Sequence, residues 1–250
     1  MSNDLTDILE GWPYEPGQIN VRMIEGADGE PRIQMRLDLG ILQMNVAGRP
    51  DGSRPHGFES FLEYYEGWLD ESGDEDEGDR TLSPEDCRLL RDEAVQYYHR
   101  YIALLILTEY EAVFRDTTRN LRVLDLCRDF AEGEDDQAVL EQFRPYLIMM
   151  RSRALASQCV ADDEAKAALF VIDQGLEEIR RGFDDAGQAE DFEQASEVAL
   201  LRGMRAELVK KLPSSQKSEL NKRLQEAIEA ENYELAAILR DELNNLKDHA

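Results

Sequence analysis

The residues best suited to nucleophilic, acid–base or metal chemistry in this 250-residue chain are three histidines and three cysteines. His56 and His99 stand alone in sequence, and His249 sits on the C-terminal tail. Metal centres and catalytic triads need several such groups converging, and fixed spacings such as CxxC or HExxH are how a sequence announces them. Cys87, Cys127 and Cys159 are far apart in sequence and none lies in a CxxC. Cys127, within Leu124-Asp125-Leu126-Cys127, reads as a small buried hydrophobe, and Met149-Met150 as core filler rather than a soft-metal site. No GxxxxGK[ST], GxGxxG or GxSxG occurs, so no phosphate loop, dinucleotide turn or nucleophile elbow is written. We therefore expect no catalytic residue, metal or cofactor. The enzymatic alternative left open is a set of carboxylates scattered in sequence that meet only in the fold.

The elements that would position these residues are legible in the hydrophobic pattern. Ile19, Val21 and Met23 alternate with polar neighbours, the turn Gly26-Ala-Asp-Gly-Glu-Pro31 follows, and Ile33, Met35, Leu37 and Leu39 mark one face. The parity changes at Gly40, which signals a bulge or a sharp bend between strands, and Leu42, Met44 and Val46 resume the alternation. Gly48-Arg-Pro-Asp-Gly52 ends the run as a turn. Phe58, Phe61, Leu62, Tyr65, Trp68 and Leu69 then fall at helical spacing, predicting a helix lying on the sheet. Trp12, Trp68 and the tyrosines near them read as cover for that sheet. Residues 70–79 carry seven acidic side chains and no basic one, the composition of a solvated linker, with a docking tail for a basic partner or a mimic of the phosphate backbone as the alternatives.

Ser83-Pro84-Glu85-Asp86 writes a helix start: an N-cap, proline at the first helical position, and acids in the first turn. From Glu85 to Glu132 there is neither glycine nor proline; we expect a break near Asp116, with the all-round apolar stretch 97–107 at the centre of a helical layer. Further helices are expected around Phe143–Leu155, from Asp162 to Gly187, and over 189–211. The fold class expected is α+β, mostly α. A sheet-plus-helix domain over 1–70 is followed by an acidic linker over 71–80, an antiparallel helical bundle or short solenoid over 81–212, and a helical hairpin over 214–248. The spacing Ala165-x-x-Ala168-Leu169-x-x-Ile172 is similar to tetratricopeptide repeats, although no 34-residue period runs through the chain.

Acidic residues outnumber basic ones 54 to 28, a formal charge of −26. That argues against direct, non-specific grip on nucleic acid or on an anionic membrane, because both need a basic face. No run reaches the roughly 18–20 apolar residues of a membrane span. The first seven residues hold no basic region followed by an apolar stretch, so no secretory signal is expected. Cysteine usage fits a reducing cytoplasm.

The informative stretch is the last. Leu220, Leu224, Ala227 and Ile228 form one apolar stripe, and Leu235, Leu239, Leu243 and Leu246 form another, with Ala236 and Ala237 beside it to allow close helix approach. Only Ala230-Glu231-Asn232 can turn the chain between them, with Asn232 as N-cap, so the two helices must run antiparallel. The sequence Tyr233-Glu234-x-Ala236-Ala237-x-x-Arg240-Asp241-x-Leu243 within it resembles the UVR motif, the helical hairpin at the C-terminus of the excision-repair subunit UvrB and within UvrC. The motif also occurs in Clp-type chaperone ATPases and in activators of protein arginine kinases, so the resemblance implies protein–protein association, not chemistry.

By position, the resemblance makes Tyr233 the aromatic at the partner contact, and Arg240 and Asp241 the pair that orders the second helix. The chain lacks the phosphate loop of UvrB and of Clp ATPases, the Gly-Ile-Tyr nuclease signature of UvrC, and the CxxC pairs of the arginine-kinase activators. A fainter echo, Phe192-Glu193-x-Ala195-Ser196, precedes it. The expected function is a non-enzymatic, cytoplasmic adaptor or regulatory protein. It would use Leu220, Leu224, Ala227, Ile228, Tyr233, Ala236, Ala237, Leu239, Arg240, Asp241, Leu243 and Leu246 to bind a UVR-bearing or Clp-type protein or a second copy of itself. The alternatives are an accessory factor in nucleotide excision repair and an enzyme whose site the sequence does not reveal.

Overall fold

The computed structural model describes residues 5–70, 80–211, 216–229, 232 and 235–240. Met1–Arg205 form one compact unit and Ala206–Ala250 a second. The acidic linker expected over 71–80 lies outside the described residues, apart from Arg80.

The first unit opens with a short helix, α1 (Thr6–Glu10), and an antiparallel sheet of β1 (Val21–Glu25), β2 (Pro31–Arg36) and β3 (Ile41–Asn45), in that order. Ile33 sits opposite Met23 on one side and Met44 on the other. The parity change at Gly40 is a sharp reversal between strands: the Leu37 N–H donates to the Gly40 carbonyl at 2.9 Å around Asp38 and Leu39. The reversal comes immediately after Arg36, so Leu37 and Leu39 leave the strand. Both are exposed, Leu39 almost completely, and the shared apolar face ends at Met35.

The other face of β2 is covered as well. Gln34 accepts from Arg22 and donates to Gln43, both at 2.8 Å, and Arg36 donates to the Trp12 carbonyl at 2.8 Å. The Trp12 ring lies 4.2 Å from the Arg22 guanidinium, which brings the segment before β1 over this polar face.

Helices make up the rest: α2 (Phe61–Asp70), α3 (Pro84–Ile106), α4 (Tyr110–Phe130), α5 (Glu134–Ala138), α6 (Arg144–Ala161), α7 (Ala165–Asp185), α8 (Ser196–Lys211) and α9 (Gln216–Glu229). The aromatic helix α2 packs on α3 and α4, and α3 is the helix lying against β2. Long helices then pack in succession, α3 on α4, α4 on α6 and α6 on α7. At the last crossing a β-carbon on Gly175 would overlap Ser152, so only glycine lets α6 and α7 approach this closely.

The start of α3 follows its sequence signature. Ser83 Oγ accepts from the Asp86 N–H at 3.3 Å, and the Asp86 carboxylate accepts from the Ser83 N–H at 3.0 Å, closing a capping box. The break after α3 falls at Leu107–Glu109 rather than near Asp116. Thr108 takes a left-handed φ of +61° there, while Asp116 is fully buried inside α4. The echo at Phe192 is a short tight turn over Ala189–Gln194 ahead of α8. Its ring is buried between the Arg180 and Arg202 guanidiniums and the edge of Phe183.

Candidate functional site: the C-terminal hairpin

Within the second unit one residue turns the chain. The Asn232 N–H donates to the Ala227 carbonyl at 2.8 Å, closing the end of α9. Its side-chain oxygen accepts from the Leu235 N–H at 3.2 Å and its carbonyl from the Ala236 N–H at 3.0 Å, which starts the helical segment 235–240. The asparagine thus satisfies donors that the first turn of a helix leaves open, as its position predicts.

Ala227, Ala236 and Leu239 are buried together, with Leu224 packed against them. Ile228 and Leu235, placed in the seam by spacing, are exposed at 46% and 38%, and Ala237 and Arg240 are exposed too. A contact between two single helices covers one narrow row on each, so the flanking rows stay outside. Ile238, not singled out by the spacing, is the most exposed large apolar side chain of the segment, at 60%. Leu220 falls within α9, while Tyr233, Asp241, Leu243 and Leu246 lie outside the described residues.

A second constellation, absent from the sequence reading, lies in the first unit. Arg100, 1% exposed, binds Asp116 through two nitrogens at 2.7 and 2.8 Å, and its third donates to the carbonyls of Asn45 and Gly48 at 3.1 and 2.6 Å. Fully buried Glu93 accepts from the Phe61 N–H at the start of α2, at 2.9 Å, and from Arg119. Arg115 donates to Asp116 and to the Val46 carbonyl, and the Tyr97 ring lies between the Arg100 and Arg119 guanidiniums. The network neutralises charge and fixes backbone: it ties α2, α3 and α4 to the loop after β3. In that loop Gly48, Gly52, Gly57 and even His56 hold positive φ. One sequence signal could have found it. Arg100 is the sole formal charge within the apolar run 97–107, and a charge placed there has to be paired.

The other chemistry-bearing residues are dispersed. His56 stacks on Tyr64 at 4.3 Å. His99 borders a small cavity shared with Asp51, and burial holds its pKa below the ordinary value, so it is neutral at pH 7. Burial alone would raise the Asp51 carboxyl, but hydrogen bonds from Ser53 and Gln96 outweigh it and hold it below the ordinary value. The fold brings Cys87 and Cys127 together, although they are distant in sequence; burial first, and then the neighbouring thiol, pushes Cys127 up to about 12. Among the described residues no three His, Cys, Asp or Glu side chains are placed to hold a metal ion, and no helix is long and apolar enough to cross a membrane.

Comparison with known proteins bears on the hairpin alone. Residues 214–248 match the model of the UvrB/uvrC motif. No curated protein matches the chain, and no solved structure does.

Proposed function

We propose that this protein is a non-enzymatic adaptor or regulatory protein that captures a UVR-bearing partner, or a second copy of itself, through the hairpin 214–248. The observation that carries this reading is the hairpin's incomplete burial. Among the described residues its seam is two alanines and two leucines, while Ile228, Leu235 and Ile238 face solvent. Burial is worth about 25 cal/mol per Å² of apolar surface, against an ordering cost of about 1.5 kcal/mol per residue. A seam of that described size does not offset the ordering of two helices, and a partner laid over the exposed row supplies further area. The matched motif is known in DNA-repair and protein-interaction contexts, which fits this use. A place in excision repair is the second reading. With a formal charge of −26 it would be reached through a protein partner rather than through DNA.

The test is capture of a purified UVR-bearing protein by the full chain and by an Ile228→Glu, Ile238→Glu double variant, with self-association followed in parallel by sedimentation. The expected result is capture or self-association by the unaltered chain, weakened at least about tenfold in the variant at unchanged helicity. Undiminished association in the variant would sink the reading.

A further inference from the structure

Away from the hairpin and the ion network, a cavity of about 590 Å³ opens between α3, α4, the α5 region and α6. We infer that it is a binding site for a small, neutral, largely apolar molecule carrying a hydrogen-bond acceptor, which the hydroxyl of Tyr101 receives. Its volume lies in the range of ligand pockets and far above the voids of a packed interior. The walls are mainly apolar, with Val95 and Phe143 half-exposed at the rim.

The polar groups in the wall define the ligand's chemistry, because most of them are already committed. Arg91 is paired with Asp136, so the cavity offers no free charge, and a charged ligand would be buried without a counter-ion. Asn120 donates to the Ala94 carbonyl and accepts from Arg119, both at 3.0 Å. His99, desolvated, is neutral. What remains uncommitted is the His99 imidazole and a trio of phenols from Tyr98, Tyr101 and Tyr146, which lie near enough to influence one another electrostatically.

Tyr101 is the telling member. It is 2% exposed, its ring is held edge-on by Tyr98 at 5.5 Å, and its hydroxyl makes no hydrogen bond among the described residues. A phenol so nearly enclosed ordinarily finds a partner, and Tyr101 lines the cavity, from which one can reach it. A phenolic O–H donates, so the complementary group is a ketone, ester, ether or amide oxygen. A docked protein helix is a poorer occupant. Its backbone carbonyls are consumed by its own hydrogen bonds, which leaves none for the phenol.

Benzophenone and diphenylmethane carry the same two rings with and without a carbonyl, and their binding to the full chain, titrated by saturation-transfer NMR, tests the assignment. Benzophenone is expected to bind about fivefold more tightly, the worth of one modest hydrogen bond. Tyr101→Phe removes only the oxygen and is expected to bring benzophenone down to the level of diphenylmethane while leaving the latter unchanged. Val95→Trp, which fills the mouth from an exposed position, is expected to lose both. The inference is overturned if neither compound binds up to its solubility limit, as would follow if the cavity takes only a partner's side chains. Persistence of the preference in Tyr101→Phe, or undiminished binding in Val95→Trp, overturns it equally.

Discussion

The two units of this chain are held by different means. In Met1–Arg205 the buried set runs from Ile33 in β2 to Leu201 in α8, and buried ion pairs join residues far apart in sequence. In Ala206–Ala250 the buried side chains among the described residues are Leu208, Ala227, Ala236 and Leu239. The first unit completes its own core and then specifies it with paired charges. The second turns at Asn232 and, among the described residues, leaves Ile228, Leu235 and Ile238 outside. Strong local signals with little described burial are the pattern on which the proposed capture of a partner rests.

The comparison breaks most sharply at Asp116. Asp116→Ala leaves Arg100 buried without a counter-charge and is expected to cost about 3–5 kcal/mol in a urea titration of the first unit. The paired change Arg100→Met, Asp116→Leu is expected to recover most of that loss, since removing both charges removes the penalty of stranding one. If the double variant stays as unstable as the single one, the carbonyl bonds to Asn45 and Gly48, rather than the charge pair, hold the loop. In the hairpin the corresponding cut is Leu239→Ala. It is expected to cost about 2 kcal/mol, the low end for a leucine, because its described neighbours in the seam are small. Hydrogen exchange should show protection lost over 222–240 and kept in α3 and α4. Loss of protection in both places would mean that the hairpin is part of the larger cooperative core.

A smaller effect sharpens the same contrast through pH. Burial would raise the Asp86 carboxyl, but its hydrogen bonds with Ser83 and Tyr65 outweigh that and hold it below its ordinary 3.8. A carboxyl whose folded pKa is depressed contributes its full stabilisation above the unfolded value, and that contribution is lost as pH falls through the folded one. Asp86→Asn is therefore expected to cost about 1 kcal/mol at neutral pH and to flatten the loss of stability below pH ~4, read from thermal midpoints across an acid series. An acid limb of unchanged steepness would assign that loss to other carboxylates.

Signals local in sequence were readable and those that depend on distant partners were not. Alternation gave a small sheet of two or three strands, because the strand period is short, and Ser83 and Asn232 gave helix starts, because a cap acts over three residues. The pairing of Arg100 with Asp116, or of Glu93 with Arg119, left no trace beyond a charge in an apolar run, because the partners sit on different helices. The hairpin's stripes gave two helices but not the row that remains exposed, since helical spacing fixes a face and not the width of its cover.

Helix ends divide in the same way, and they supply the smallest test. Three helices close with the same pair of bonds. Thr108, Asp163 and Gly187 each hold a φ between +61° and +68°, and the N–H of the next residue donates back to the carbonyl five positions earlier, at 2.9, 2.7 and 2.8 Å. Only the glycine is a stop signal in sequence; Thr108 is a β-branched residue in the left-handed region, which is why the break after α3 could not be placed. Relief of that conformation outweighs the extra chain freedom of glycine, so Thr108→Gly is expected to raise stability by about 0.5 kcal/mol. Asp163→Gly should gain less, because aspartate tolerates this region better. Gly187→Thr should lose about 1 kcal/mol by the same reasoning run backwards. The ordering of the three thermal midpoints is the measurement. A Thr108→Gly chain less stable than the unaltered one would show that the Thr108 hydroxyl, which donates to the Leu107 carbonyl at 2.6 Å, holds the corner more firmly than its backbone strain loosens it.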